Sequence, residues 1–427
     1  MPRTPPAVLP AIRPPIGLVG PWVANKGDQM MLRAVTDHLS GRPLAAPVEL
    51  WSRELPDPRM LRVALPPTIT EARAAAARKH VLRLGTLAAK GALFALPGGV
   101  GLRLTGHGDA RSLGTLLDCS GFAYGDEWST ARTWHRARYY QRLARAGTRV
   151  VMLPQAFGPF EKPGQREAAR ALFGACALVY ARDEESLGHV QGLDLDAGTA
   201  LRRAPDVTHL LSVPPPPDAE AWARRAVIVP NQRMLDRTAP DRAAAYGQFL
   251  QDAISAVRAA GLDPWLLLHE RNDRALLDAV SREAGGGVRV FEGDGVALKG
   301  VIGAAGLVVA SRYHALVSAL SQGVPAIGTS WSHKYDRLFA AYGQERYLLA
   351  PEGDEGERRA RLDEALSPGG QAEARARLAA RADRCRDEVE AMWRAVEAVI
   401  GGALPPAEAD EGRAASAART TPLRSIA

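Results

Sequence analysis

The residues best suited to chemistry stand where apolar runs hand over to helical stretches in the second half of the chain. In Gly306-Leu307-Val308-Val309-Ala310-Ser311-Arg312-Tyr313-His314-Ala315 the run ends at Ala310, Ser311 is of the N-cap type, and Arg312 and His314 fall in the first turn of the next helix. Such a turn has unpaired backbone N–H groups and the positive end of the helix dipole, so it favours an anion. One βα unit later, Thr329-Ser330-Trp331-Ser332-His333-Lys334-Tyr335-Asp336 repeats the pattern, with Ser332 as the expected cap. Neighbouring parallel strands would aim Arg312, His314 and Lys334 into one crevice. An Arg fork, a Lys point charge and an imidazole that carries protons near neutral pH suit a phosphate- or carboxylate-bearing substrate. A histidine beside a helix start is otherwise more often structural, and the convergence with Lys334 is what weighs against that.

Three further junctions lie in the first half. Val19-Gly20-Pro21-Trp22-Val23-Ala24-Asn25-Lys26-Gly27-Asp28 joins a strand to a helix; Gly27 permits close backbone approach, and Asp28 is expected to cap the helix. Asn25, Gly27 and Asp28 are therefore candidate cleft residues, although an ordinary capped loop has the same composition. The loop matches neither a Walker A sequence nor a G-x-G-x-x-G fingerprint, which argues against a nucleoside triphosphate or dinucleotide. Leu153-Pro154-Gln155-Ala156-Phe157-Gly158-Pro159-Phe160 carries Gln155 into a Gly/Pro turn, and Val179-Tyr180-Ala181-Arg182-Asp183 ends a strand in a basic–acidic pair. Of 54 basic residues only six are Lys, so an Arg such as Arg182 is weak testimony and a Lys is stronger.

The elements that must hold these residues alternate along the chain as short apolar runs and longer helical stretches, the pattern of parallel βαβ units. Strands are predicted over 16–20, 48–51, 92–96, 149–154 and 178–181, with helices over 29–39, 131–146 and 165–175. Four consecutive prolines at 214–217 fit neither a helix nor a central strand and read as a stiff connector. Beyond them come strands over 226–230, 264–269, 288–291, 306–310 and 325–329, helices over 242–260, 273–284, 296–304, 313–322 and 333–341, and a long Ala/Arg/Glu-rich helix over 370–399. The predicted organisation is an α/β domain over 1–213, a linker over 214–218, a second α/β domain over 219–400 and a disordered tail over 401–427. Two Rossmann-like parallel-sheet domains would face a cleft, with ligands at the carboxyl ends of the strands.

Bulk properties agree with a globular chain: 427 residues, 46% hydrophobic and 24% charged. No apolar stretch is long enough for a membrane span, and the proline-broken start argues against a secretory signal, so a cytoplasmic location is expected. Cys119, Cys176 and Cys385 are too far apart for a zinc site or a disulfide framework. The net charge of +7 is dispersed among acids, which points away from nucleic acid and towards anionic substrates or peripheral contact with an anionic inner membrane face.

With these residues assembled, the chain resembles the polysaccharide pyruvyltransferase family from about residue 16 to about residue 343. The likeness rests on Asn25-Lys26-Gly27-Asp28, Pro154-Gln155…Gly158-Pro159, Ala181-Arg182-Asp183…Ser186, Ala204-Pro205-Asp206, Ser311-Arg312-Tyr313-His314-Ala315, Gly323-Val324-Pro325 and Lys334. The stretch Asp118-Cys119-Ser120-Gly121 departs from the Gly-Gly loop that the family carries there, which touches any acceptor contacts of that loop. The resemblance implies an architecture similar to GT-B glycosyltransferases and transfer of a pyruvyl group from phosphoenolpyruvate to sugar hydroxyls as a ketal, with no metal or nucleotide cofactor. It implies that Arg182, Arg312 and Lys334 bind phosphoenolpyruvate, that His314 carries the proton, and that the acceptor is a sugar or lipid-linked saccharide. Two other classes stay open: a nucleotide-sugar glycosyltransferase of the same architecture, and a non-catalytic carbohydrate- or lipid-head-group-binding protein.

Overall fold

The structure is a computed structural model and describes residues 16–20, 25–40, 48–51, 62–64, 113–330, 332 and 334–403. The chain forms two compact units, one of 1–21, 35–207 and 387–427, the other of 22–34 and 208–386. The division therefore falls at 207/208 rather than at the prolines, and it runs through two helices. The proline run belongs to the second unit, where the Pro214 carbonyl lies 2.9 Å from where a Cβ on Gly300 would stand. The buried Lys299 reaches back to the Thr208 carbonyl (2.8 Å) and holds the short 3-10 turn Val207–Leu210.

The first unit holds a seven-stranded sheet in the order β3-β2-β1-β4-β5-β6-β7. Its strands are β1 (Ile16–Val19), β2 (Val48–Trp51), β3 (Arg62–Ala64), β4 (Thr115–Asp118), β5 (Arg149–Gln155), β6 (Leu178–Ala181) and β7 (Ala200–Arg203). All neighbours are parallel except β2 and β3, so the parallel expectation fails at one edge. Ile16 pairs with Val48 on one side and Thr115 on the other. Helices α1 (Lys26–Ser40), α2 (Thr130–Arg145), α3 (Gln165–Phe173) and α4 (Glu184–Gln191) follow, α2 capped by Ser129 and α4 by Asp183. The strand expected over 92–96 lies outside the described residues.

The second unit holds an all-parallel five-stranded sheet, order β10-β9-β8-β11-β12. Its strands are β8 (Arg225–Val229), β9 (Asp263–Leu267), β10 (Arg289–Phe291), β11 (Leu307–Ala310) and β12 (Ala326–Gly328). β11 is buried along its whole length, as a central strand covered on both faces must be. Between strands run α5 (Pro240–Ala259), α6 (Arg274–Glu283), α7 (Gly295–Ala304) and α8 (Tyr313–Ser321), followed by α9 (Lys334–Tyr342), α10 (Glu355–Leu366) and α11 (Pro368–Ile400). The last turns of α11 belong to the first unit, where Trp393 stacks on His38 (4.1 Å) and Glu388 pairs with Arg203 (3.0 Å). From 404 onwards the expected tail lies outside the described residues.

Candidate functional site

Strand order reverses direction between β8 and β11, and that switch point is where a parallel sheet opens a crevice at its carboxyl ends. Asn231 stands just past β8 and Ser311-Arg312 just past β11, both buried. Ser311 is not the helix cap that the sequence suggested. The N-cap position of α8 is Arg312, with no side-chain cap bond, while the Ser311 hydroxyl bonds Tyr246 and Thr329 (2.7 Å each). The Ser311 carbonyl accepts from Asn231 (2.7 Å) and Tyr335 (3.0 Å), so this residue ties four elements together beneath the site.

Arg312 is held by two carboxylates. Its Nε donates to Asp273 Oδ2 (3.1 Å), Nη2 donates to Asp273 Oδ1, and Nη1 pairs with Glu270 Oε1 (2.8 Å). Burial alone would lower its pKa, but Glu270 and Asp273 outweigh that and hold it above the ordinary value. A guanidinium has five N–H donors, so two are not used by these acids. Asp273 is itself fixed by the Gln232 N–H (2.9 Å) and the Glu270 N–H (3.2 Å), the latter half of a reciprocal capping box that starts the 3-10 turn Arg271–Asp273.

The start of α1 joins the same site, since 22–34 belong to the second unit. Asn25, not Asp28, is the cap: its Oδ1 accepts from Gly27 N–H (2.8 Å) and Asp28 N–H (3.3 Å), and its Nδ2 donates to Glu270 (3.0 Å). Asn25 stands three residues earlier, just before the helix, where its side chain meets these amides, and Asp28 falls inside the first turn. Those two amides are thereby taken by a side chain. Lys26 donates to the Gly293 carbonyl past β10, and Gln29 accepts from Gly295 N–H (2.7 Å). Gly27 is where His314 packs: a Cβ there would lie 2.1 Å from His314 Nδ1. The His314 ring meets Tyr313 edge-to-face (5.5 Å), and Lys334 Nζ lies 5.6 Å over the Tyr313 ring.

His269, two residues past β9, escaped the sequence reading. It is 2% exposed, and neither ring nitrogen has a hydrogen-bond partner. Burial pushes its pKa well below the usual value, with Arg312, His314 and Lys26 adding to the effect, so it is a neutral imidazole. Its signal in the sequence was the His-Glu-x-x-Asp run at the end of a predicted strand.

Thus Asn25, Gly27, Arg312, His314 and Lys334 gather in the second unit, with Asp28 in the first turn of α1. Arg182 and Gln155 stand in the first unit. Arg182 Nη1 donates to Asp206 (3.0 Å) in a buried ion pair, and its amide donates to the Gln155 carbonyl (2.8 Å). Buried Gln155 spends its amide nitrogen on the Asp118 carbonyl (2.9 Å). The loop that departs from the family pattern is closed on itself: the Asp118 carboxylate accepts from Ser120, Tyr124 and Tyr140 hydroxyls. Burial and Asp118 push both tyrosine hydroxyls far above the ordinary range.

The described residues form two α/β domains built on largely parallel sheets, an architecture that resembles GT-B. Among solved structures, a Listeria monocytogenes protein described as a UDP-N-acetylglucosamine 2-epimerase is 11% identical, with 90% of this chain and 97% of that chain covered at a TM-score of 0.50. An E. coli trehalose-6-phosphate protein bound with UDP-2-fluoro glucose is also 11% identical, covering 92% and 99% at a TM-score of 0.49. Both likenesses are of fold alone. No curated protein matches the chain. The profile of the polysaccharide pyruvyl transferase family matches residues 25–333, and the chain belongs to that family.

Proposed function

We propose that the chain moves a pyruvyl unit from phosphoenolpyruvate to two hydroxyls of one sugar, with release of phosphate. The observation that carries this reading is the packing of His314 on the Gly27 turn beside Lys26 and the acid-oriented Arg312. The donor carries a phosphate and a carboxylate, which the two spare Arg312 N–H groups and Lys334 would address. Arg182, oriented by Asp206 within the first unit, is a further basic residue of the reading. No metal or nucleotide takes part.

The steps follow from the donor's chemistry. A proton reaches the terminal enol carbon and leaves a cationic carbon that the ester oxygen stabilises. One sugar hydroxyl attacks that carbon and gives up its proton. The carbon–oxygen bond to phosphate breaks, phosphate leaves with its bonding pair, and a second hydroxyl attacks and loses its proton to close the ketal. His314 is the proton carrier, and neutral His269 can offer one N–H and one lone pair to the bound substrate. Phosphoenolpyruvate is a product of central metabolism, so this reading places the reaction in the cytoplasm.

The test is incubation with labelled phosphoenolpyruvate and a panel of sugar and lipid-linked saccharide acceptors, following phosphate release. Acceptor-dependent release that His314→Ala reduces by at least about 100-fold, the scale of general acid–base catalysis, is expected. Phosphoenolpyruvate should also raise the melting temperature. Stabilisation by uridine or guanosine diphosphate in its place would overturn the reading in favour of nucleotide-sugar glycosyl transfer.

A further inference from the structure

Helix α2 carries five arginines and one histidine in sixteen residues, and no acid. Its inner face buries Thr133, Ala137, Tyr139, Tyr140 and Leu143 in the core of the first unit. Arg136 turns inward over the Tyr140 ring (5.6 Å). His135, Arg138, Arg142 and Arg145 are exposed, and steps of three and four residues place them in one row along the outer face.

Other helices supply a contrast. On α10, Arg359 pairs with Asp363 (2.9 Å) and Arg361 with Glu364 (3.2 Å), and outside the long helices Arg233 pairs with Asp236 (3.2 Å). On α2, Arg138 lies over the Trp134 ring (5.9 Å), and Arg142 and Arg145 form no ion pair among the described residues. The helix dipole accounts for cations in the last turn, but not for His135 or Arg138 in the middle. Like charges one turn apart repel, so an isolated α2 gains nothing from the row.

We propose that this face of α2 docks on the phosphates of an anionic phospholipid bilayer. The aromatic residues decide between that and a nucleic acid. Trp134 packs on the core cluster with one side and meets Arg138 on the other, and Arg132 covers the Trp128 ring (3.9 Å). Rings covered by guanidinium groups are poor stacking platforms for bases. Half-buried tryptophans beside a row of arginines are what the headgroup level of a membrane accommodates. α2 docks rather than inserts, because its apolar face is already spent on the core. The inference does not rest on the transfer chemistry, and vesicle binding is read without turnover, so either can fail alone.

The experiment is co-sedimentation of the full chain with phosphatidylcholine vesicles and with vesicles in which part of the phosphatidylcholine is replaced by phosphatidylglycerol. Binding is expected to the second kind only and to weaken as salt rises. Each arginine at an anionic surface is worth roughly fivefold in partitioning, so the triple variant Arg138→Glu, Arg142→Glu, Arg145→Glu should lose at least about 100-fold. A control with the same charge change at exposed Arg282, Arg359 and Arg377 should keep its binding, and both variants should melt as the wild type does. The inference is overturned if the wild type ignores phosphatidylglycerol, if the α2 variant binds undiminished, or if the control loses as much. Tighter binding of a single-stranded oligonucleotide through the same three arginines would overturn it as well.

Discussion

Gly27→Ala should separate activity from stability. A Cβ at position 27 would stand 2.1 Å from His314 Nδ1 and 2.7 Å from Cγ and Cε1, whereas ordinary contact begins at 3.4 Å, so the two must part by about 1.3 Å. α1 is not the partner that yields. Its first turn is pinned through Asn25 to Glu270 (3.0 Å), through Lys26 to the Gly293 carbonyl and through Gln29 to Gly295 (2.7 Å). The His314 ring therefore swings aside. A misplacement of this size costs on the order of 100-fold in rate, which is about 2.7 kcal/mol of transition-state stabilisation. Alanine is the better helix former by up to about 1 kcal/mol, so melting should change little. Single-turnover phosphate release and thermal melting on the same preparation check both halves. Should the variant melt low, Gly27→Ala with His314→Ala, which removes the ring, should recover the loss. A Gly27→Ala enzyme with the wild-type rate constant would refute the placement of His314.

Asp273→Ala strips the buried Arg312 of two hydrogen bonds and leaves it with Glu270; a loss of about 3–5 kcal/mol is expected from denaturant unfolding, and an undiminished midpoint would count against the pair. Asp206→Ala should cost a similar amount, because Arg182 is equally buried, and the double replacement Arg182→Met with Asp206→Leu should recover most of it. His269 stays neutral in the folded chain but titrates near 6.5 when unfolded, so the unfolded state binds the extra proton and stability falls as pH drops below that value. The slope should approach about 1.4 kcal/mol per pH unit on the acid side, and His269→Asn should flatten it. Equal acid slopes in urea titrations of the two proteins would show that His269 is protonated in the folded state.

The second unit was legible because its central strands β8 and β11 are buried on both faces and appear as apolar runs; all five strands predicted there are present. β4 and β7 were not, for two physical reasons. Thr115–Asp118 is four residues long and ends in an aspartate whose burial depends on the hydroxyls of Ser120, Tyr124 and Tyr140. Ala200–Arg203 ends in two arginines, one of which is satisfied by Glu184 and Glu388 from elsewhere in the chain. A proline run announces stiffness but not what it packs against, and here it lies against Gly300. At the site, position along the strands pointed to Arg312, His314 and Lys334. It missed Glu270 and Asp273 because an acid after a strand has no meaning until the cation it faces is known.

Those two acids change how the site must work. A guanidinium buried among apolar groups with no counter-charge would weigh against folding by several kcal/mol, and Asp273 and Glu270 remove that obstacle. They also cancel most of the attraction that the bare cation would offer an anion: Lys26, Arg312 and Lys334 against Glu270 and Asp273 leave one net positive charge before the histidines are counted. On the proposed reading, affinity for a highly charged donor therefore depends on direction more than on charge, through the two N–H groups of Arg312 that the acids leave over. Arg312→Lys keeps the charge and removes the fork, so it separates the two contributions. If direction governs, the lysine variant should raise the KM for phosphoenolpyruvate by at least about 10-fold, the value of one lost charge-assisted hydrogen bond, even though its net charge is unchanged. An unchanged KM would mean that the acids have no orienting role and that charge alone draws the donor in.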